Sequence, residues 1–410
     1  MTPKSEGGLA EPNRGERGLS GPAEREACVG VSKAVVFRRD LLPYSERFIT
    51  NQARALTRYA PVLVGTRRTD RRLPDVEVET RVVSSPRLAK LVELGLLHGF
   101  APRMLRNLLA HADVVHAHFG PDAALLLPTL ARRQHDRLPF IVTFHGYDAT
   151  VTDDGLRALG RLPARFVEAR EQLFDRADVI VAVSHFVSRR LIAAGADPAK
   201  VIVRFIGVDT GFFCPPDRSS PPPPGVLFVG RLQPNKGARD LLDALAILAR
   251  QGLSVPCTLV GEGSEGDRLA AFAQREQLDV RFLGAVEPWQ VRELIYDSRV
   301  LCGPSVTARN GASEGFGLVF AEAQACGVPV VSYRTGGIAE AVADAETGLL
   351  ASERDVAGLA ERLRTLLTDD ELWTRMSRAA RDRVVKRFDL YRQTAELEDV
   401  YDAAVAARAG

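Results

Sequence analysis

The sequence has few cysteines, very few lysines and no long hydrophobic run. Its five cysteines among 410 residues (Cys28, Cys214, Cys257, Cys302 and Cys326) stand far apart and form no Cys-x-x-Cys. That spacing excludes a disulfide framework and a zinc knuckle, and the thiols read as free and buried in a reducing compartment. No stretch approaches the roughly 18 consecutive apolar residues of a membrane-spanning helix. The first 30 residues are rich in Gly, Pro, Glu and Arg and lack the apolar core of a signal peptide. They read as a disordered tail, and the protein is expected to be cytoplasmic. An excess of one charge is also missing: 54 Lys+Arg face 52 Asp+Glu, a formal net charge of +2. This balance excludes a nucleic-acid binder that relies on an overall positive field. Only six of the 54 basic residues are lysines, so a lysine placed in a glycine loop is an unusual choice.

What is present is an α/β pattern. Hydrophobic residues make up 46% and charged residues 26%, as in a soluble globular chain long enough for two domains. Strands are predicted at 34–37, 61–64, 76–83, 114–116, 140–143, 179–183 and 201–205, with amphipathic helices at 47–58 and 161–174 among them. Alternation of this kind implies a parallel sheet covered on both faces. Six prolines then fall within residues 215–224 and allow neither helix nor central strand. The pattern restarts with strands at 226–229, 258–260, 280–283, 300–302 and 328–332, and helices at 238–250, 266–276, 291–297 and 316–325. From 355 to about 407 the chain is predicted helical, with one break near Phe388. The expected division is a tail (1–30), a first α/β domain (31–212), a linker (213–224), a second α/β domain (225–388) and a terminal helix (389–410). Ligands of such sheets sit beyond the carboxyl ends of the strands.

Strand 226–229 runs into Gly230-Arg231-Leu232-Gln233-Pro234-Asn235-Lys236-Gly237, and a helix follows. A glycine loop with two cations before a helix N-terminus is an anion site, because amides and dipole both face the ligand. Farther on, Glu314-Gly315-Phe316-Gly317-Leu318 opens a helix containing Glu322. Eight helical residues rise about 12 Å and turn by a net of about 80°. That separation suits gripping two ends of an elongated ligand rather than a glycosidase pair, whose carboxyls are roughly 5–9.5 Å apart. A competing signal is Gly261-Glu262-Gly263-Ser264-Glu265-Gly266, a literal G-x-G-x-x-G between strand and helix. Two glutamates inside that loop would repel a pyrophosphate, yet an NAD-linked oxidoreductase stays open as an alternative.

The run Glu314 to Glu322, followed by Ala325-Cys326-Gly327-Val328-Pro329-Val330-Val331, resembles retaining glycosyltransferases of family 4. Gly230-Arg231-Leu232, Lys236-Gly237 and Val260-Gly261-Glu262-Gly263 match that family in the same order, and the likeness covers about residues 32–405. It is similar to a branch that includes exopolysaccharide enzymes of the colanic-acid type. The resemblance implies the GT-B fold, two doubly wound Rossmann-like α/β domains facing a central cleft. It also implies that Arg231 and Lys236 hold a donor diphosphate, Glu322 the ribose hydroxyls and Glu314 the transferred sugar. Backbone near Phe282, Leu283 and Gly284 would meet the base, and Gly230, Gly261, Glu262, Gly315, Phe316, Gly317 and Leu318 would line the donor. His145, in Phe144-His145-Gly146-Tyr147-Asp148, would lie near the sugar and leaving phosphate, with His118 of His116-Ala117-His118 close by. His116 reads as structural, and Ser184 as the cap of the helix that His185 begins.

One loop departs from the family. Where many members have Gly-Gly after the first strand, residues 38–46 read Arg-Arg-Asp-Leu-Leu-Pro-Tyr-Ser-Glu. Tyr44, Ser45 and Glu46 become acceptor-side candidates together with His118. Segment 86–112 sets Arg87, Lys90, Arg103 and Arg106 against one Glu93, with Leu and Phe at helical spacing. It reads either as a stripe resting on an anionic membrane or, more commonly for such a pattern, as a core face. No Asp-x-Asp occurs, so the expected reaction uses no metal and no cofactor. A nucleoside-diphosphate sugar is the co-substrate, and the acceptor is the hydroxyl of a glycan, a lipid-linked glycan or a small molecule. A sugar phosphorylase or nucleotide-sugar epimerase on the same fold is the alternative within sugar chemistry.

Overall fold

A computed structural model describes residues 31–41, 46–69, 77–132, 135, 137–217 and 220–409. Tyr44 and Ser45 lie outside the described residues.

The first half carries β1 (Ser32–Phe37), β2 (Asp40–Leu41), β3 (Tyr59–Gly65), β4 (Arg67–Arg68), β5 (Glu79–Val82), β6 (Val114–His118), β7 (Phe140–Phe144), β8 (Val179–Ala182) and β9 (Val201–Val203). Seven of these form one sheet in the order β5-β3-β1-β6-β7-β8-β9, all parallel, and β2 pairs with β4 beside it. The second half carries β10 (Val226–Val229), β11 (Cys257–Val260), β12 (Val280–Phe282), β13 (Val300–Cys302), β14 (Val330–Tyr333) and β15 (Gly348–Ala351). They form a parallel sheet in the order β12-β11-β10-β13-β14-β15. In both sheets the first strand sits at the point where strand order reverses, between β3 and β6 or between β11 and β13. Loops diverge there and leave a crevice at the carboxyl ends.

Several features differ from the sequence expectation. Strand β15 and the helix Gly120–Leu130 were not expected, and the C-terminal helical region breaks at Asp369 as well as near Phe388, giving helices Val356–Thr368, Asp370–Arg387 and Leu390–Ala409. The last of these crosses to the first sheet. Its buried Glu398 accepts hydrogen bonds from the backbone N–H groups of Thr57, Arg58 and Tyr59 (2.8, 2.6 and 3.3 Å). Cys257, Cys302 and Cys326 are free and buried. Buried apolar side chains run from the first sheet into the second, and Phe316 and Phe388 meet edge to face at 5.1 Å along the way. Among the described residues, no helix is long and apolar enough to cross a membrane.

Candidate active site

Three groups of loops meet where the two carboxyl ends face each other. From the second sheet, β10 ends in Gly230 and leads through one 3-10 turn (Pro234–Lys236) into the helix Ala238–Arg250. No side chain caps that helix, nor the helix Leu318–Ala325 that Gly317 begins, so both N-termini keep amide donors for a ligand. Lys236 Nζ donates to Glu314 Oε2 at 2.6 Å, joining groups 78 residues apart, and both side chains are mostly shielded. The resemblance assigned them to different parts of one ligand; the structure pairs them directly. Arg231, in the same loop as Lys236, is exposed.

Glu322 is partly buried in a helix whose other residues are apolar except Gln324, and burial pushes its carboxyl up to about 7, with the Arg47 guanidinium of the first half opposing that rise. Arg47 begins the helix Arg47–Ala55 and was not singled out in the sequence; its neighbour Phe48 packs on His145 at 4.9 Å between ring centroids. Phe316 corrects an expectation. Its ring is buried against Phe205 and Phe388, which leaves only its backbone for a donor.

The G-x-G-x-x-G has a structural explanation. A Cβ on Gly261 would lie 1.9 Å from the Gly230 carbonyl oxygen, and one on Gly263 would lie 2.1 Å from that of Leu232. The two loops run side by side, with Leu232 N–H donating to the Glu262 carbonyl (2.9 Å) and Gly261 N–H to that of Gly284 (2.7 Å). These glycines admit a neighbouring loop, so the spacing needs no dinucleotide. Leu283 is exposed beside them and Phe282 is half-buried.

On the facing side, β6 and β7 end in a stack of three histidines. His116 is buried, with Nδ1 bonded to Tyr401 Oη and Nε2 to Thr143 Oγ1, each at 2.6 Å; burial holds its pKa down to about 3. Its ring lies on that of His118, whose Nδ1 shares a 2.9 Å hydrogen bond with His145 Nε2. Burial, with neighbouring His and Arg38 charges adding to it, keeps both His118 and His145 neutral well below the usual imidazole range. His118 Nε2 and His145 Nδ1 find no partner among the described residues. His118 is therefore a buried orienter of His145 and not an acceptor contact as expected. Asp148, missed in the sequence, accepts from the N–H groups of Gly120, His145 and Gly146 at 3.0–3.1 Å and fixes this loop. Burial raises its pKa to about 6 against those three bonds.

The loop that lacks Gly-Gly is filled by charge. Arg38 forks onto Glu46 (2.6 and 2.8 Å), also reaches Asp122, and lies 4.4 Å from the Phe119 ring centroid. Burial alone would lower its pKa, but the facing Asp122 and Glu46 carboxylates raise it. Glu46 is thereby spent on Arg38, which corrects its expected place among acceptor contacts. Ser184 caps the helix His185–Ala193 and also donates to the Gly315 carbonyl at 2.6 Å. Ser313 N–H donates to Thr150 Oγ1 (3.2 Å) and Thr152 N–H to the Asn310 carbonyl (2.8 Å), so the first half grips the Glu314 loop. A Cβ on Gly315 would lie 2.1 Å from the His145 carbonyl oxygen.

Comparison with known proteins now bears on this arrangement. Residues 45–212 match the sequence family described as Glycosyltransferase Family 4, and residues 216–383 match Glycosyl transferases group 1. The chain is 31% identical over 298 residues to a glycogen synthase of Mycobacterium tuberculosis, covering 71% of this chain and 69% of the relative. The chain belongs to glycosyltransferase family 4. Another relative, a putative colanic acid biosynthesis glycosyltransferase (WcaL) of Escherichia coli, is 31% identical over 283 residues, covering 68% of this chain and 67% of its own. Among solved structures, Anabaena HepE in complex with UDP-glucose superposes with a TM-score of 0.72 at 21% identity, over 90% of this chain and 99% of that one. The fold of this family 4 glycosyltransferase is GT-B.

Proposed function

We propose that this glycosyltransferase moves a hexose from a nucleoside-diphosphate sugar to an acceptor hydroxyl without a metal and with retention of anomeric configuration. The observation that carries the reading is the Lys236–Glu314 pair, each residue just before an uncapped helix start, with Arg231 exposed in the Lys236 loop. The barrier is loss of a diphosphate from an anomeric carbon that becomes cation-like. Fixed donors aimed at the developing negative charge lower it most. In this reading Arg231, Lys236 and the amides at Gly317–Leu318 hold the diphosphate, and Glu322 accepts from two ribose hydroxyls. Glu314, fixed by Lys236, accepts from hydroxyls of the sugar. Neutral His145 offers a hydrogen bond to the sugar without adding charge. The C–O bond to the diphosphate breaks as the acceptor oxygen bonds the same face, and the acceptor's proton passes to the departing phosphate oxygen.

Charge compensation by these cations supports metal independence, since the sequence holds no Asp-x-Asp. The domain roles follow, with residues 31–212 on the acceptor side, 213–224 as linker, 225–388 holding the donor and 389–410 returning to the first domain. Likeness to the colanic acid relative favours an acceptor in polysaccharide synthesis, with a secondary-metabolite glycoside as the other class. Nucleotide release from a panel of nucleotide sugars, measured with EDTA present, tests the reading. Release that survives EDTA, with an α-anomeric product from an α-donor by proton NMR coupling, is expected. Inverted product would overturn retention, and release only with a divalent ion would overturn metal independence.

A further inference from the structure

We propose that the surface built by residues 86–106 docks this enzyme on an anionic lipid bilayer. Leu88, Leu91, Leu94 and Phe100 are 52%, 64%, 53% and 71% exposed. The three leucines recur at every third position and project from one side of the helix Ala89–Leu97. The core takes Ala89 and Leu96 from this helix and Leu105 and Leu109 from the next, Arg103–Ala110, so the exposed set exceeds what packing uses. A cluster of large apolar side chains left in water marks a contact surface.

The charges around it decide the partner. Arg87, Lys90, Arg103 and Arg106 are all exposed, and Arg132 lies 5.7 Å from the Phe100 ring centroid. Glu93 is the only acid between residues 83 and 112, and its carboxylate already accepts from Arg39 Nε and Thr66 Oγ1, each at 2.9 Å. A second copy meeting this surface about a two-fold axis would set like charges against each other. An anionic headgroup layer satisfies both features, with leucines at the acyl boundary and cations among the phosphates. The helix has only nine residues, so it lies in the interface and does not span it.

The contact also points at the site. Glu93 holds Arg39, whose backbone N–H donates to Asp122 at 2.6 Å, and Asp122 also holds Arg38. The docking face and the start of the loop after β1 are thus one connected unit. This inference does not depend on the transfer reaction.

Co-sedimentation of the full chain with phosphatidylcholine vesicles, with and without phosphatidylglycerol, tests it. The wild type is expected to bind only vesicles containing phosphatidylglycerol and to be released by high salt. Removing each basic residue weakens binding by about fivefold. Arg87→Glu with Lys90→Glu, and separately Leu91→Glu with Leu94→Glu, should each lose at least about tenfold while melting like the wild type. Failure of the wild type to bind overturns the proposal, as does equal binding to neutral vesicles. A wild-type dimer by sedimentation velocity, made monomeric by the leucine pair without any vesicle binding, would assign the surface to a second copy instead.

Discussion

Glu322 shows most clearly how a residue's surroundings set its role. Burial raises its carboxyl from 4.5 to about 7. Its protonated form is favoured by folding, so the stability it contributes is complete below about pH 4.5 and is lost as pH rises through about 7. Ribose hydroxyls need the ionised carboxylate as acceptor. Donor KM is therefore expected to rise as pH falls below about 7, while Glu322→Gln flattens that profile and melts higher than the wild type at neutral pH. A pH-independent donor KM in the wild type would remove Glu322 from the ribose site. Lys236 carries the other residue-scale prediction. Lys236→Met removes a fixed cation from the leaving group and leaves Glu314 unpaired, so kcat should drop by about 100- to 1,000-fold. Glu314→Gln in that background should cost much less than it does alone, because the two side chains act as a pair. Additive losses would show that they act separately.

Among the elements, the final helix does the most connecting. Glu398 satisfies three backbone N–H groups at the start of β3, and Tyr401 orients His116 at the base of the histidine stack. Glu398→Ala should lower unfolding free energy by at least about 2 kcal/mol in urea, because those donors lose their acceptor. An unchanged midpoint would mean that water replaces the carboxylate at no cost. Most strands were legible as short β-branched runs between glycine and proline. The helix Gly120–Leu130 was not, because it is buried on nearly every side, opens on glycine and holds Pro128, so it has no amphipathic period to find. Strand β15 reads Gly-Leu-Leu-Ala and has no β-branched residue. Site residues were legible where a residue type is rare for its place, as with Lys236 in its glycine loop. Asp122 and Arg47 carried no such mark, since their partners come from distant segments, and Asp148 bonds backbone N–H groups, which no residue type reveals. The exposure of Leu88, Leu91 and Leu94 was hidden for the same reason: periodicity shows a face, not what covers it.

At the scale of the whole molecule, two parallel sheets present their carboxyl ends to one crevice, and the Glu314 loop is held from both sides. Glu340 of the second half accepts from the N–H groups of His185 and Phe186 (both 2.7 Å), while Ser184 holds Gly315. These contacts join the halves beside the Glu314 loop. Glu340→Ala should thus raise donor KM while the melting temperature stays close to that of the wild type, read by nucleotide release beside a thermal melt. A lowered melting temperature with donor KM unchanged would make the contact merely structural. The central claim is that the second half binds a nucleoside diphosphate through Arg231, Lys236 and Glu322. Calorimetric titration with UDP, GDP, ADP and dTDP in EDTA tests it most directly. Selective binding of one of them, lost in Glu322→Ala, is the predicted result, with stabilisation of about 2.7 kcal/mol at 100 times the dissociation constant. No binding to any of the four, or equal binding by the variant, would contradict it.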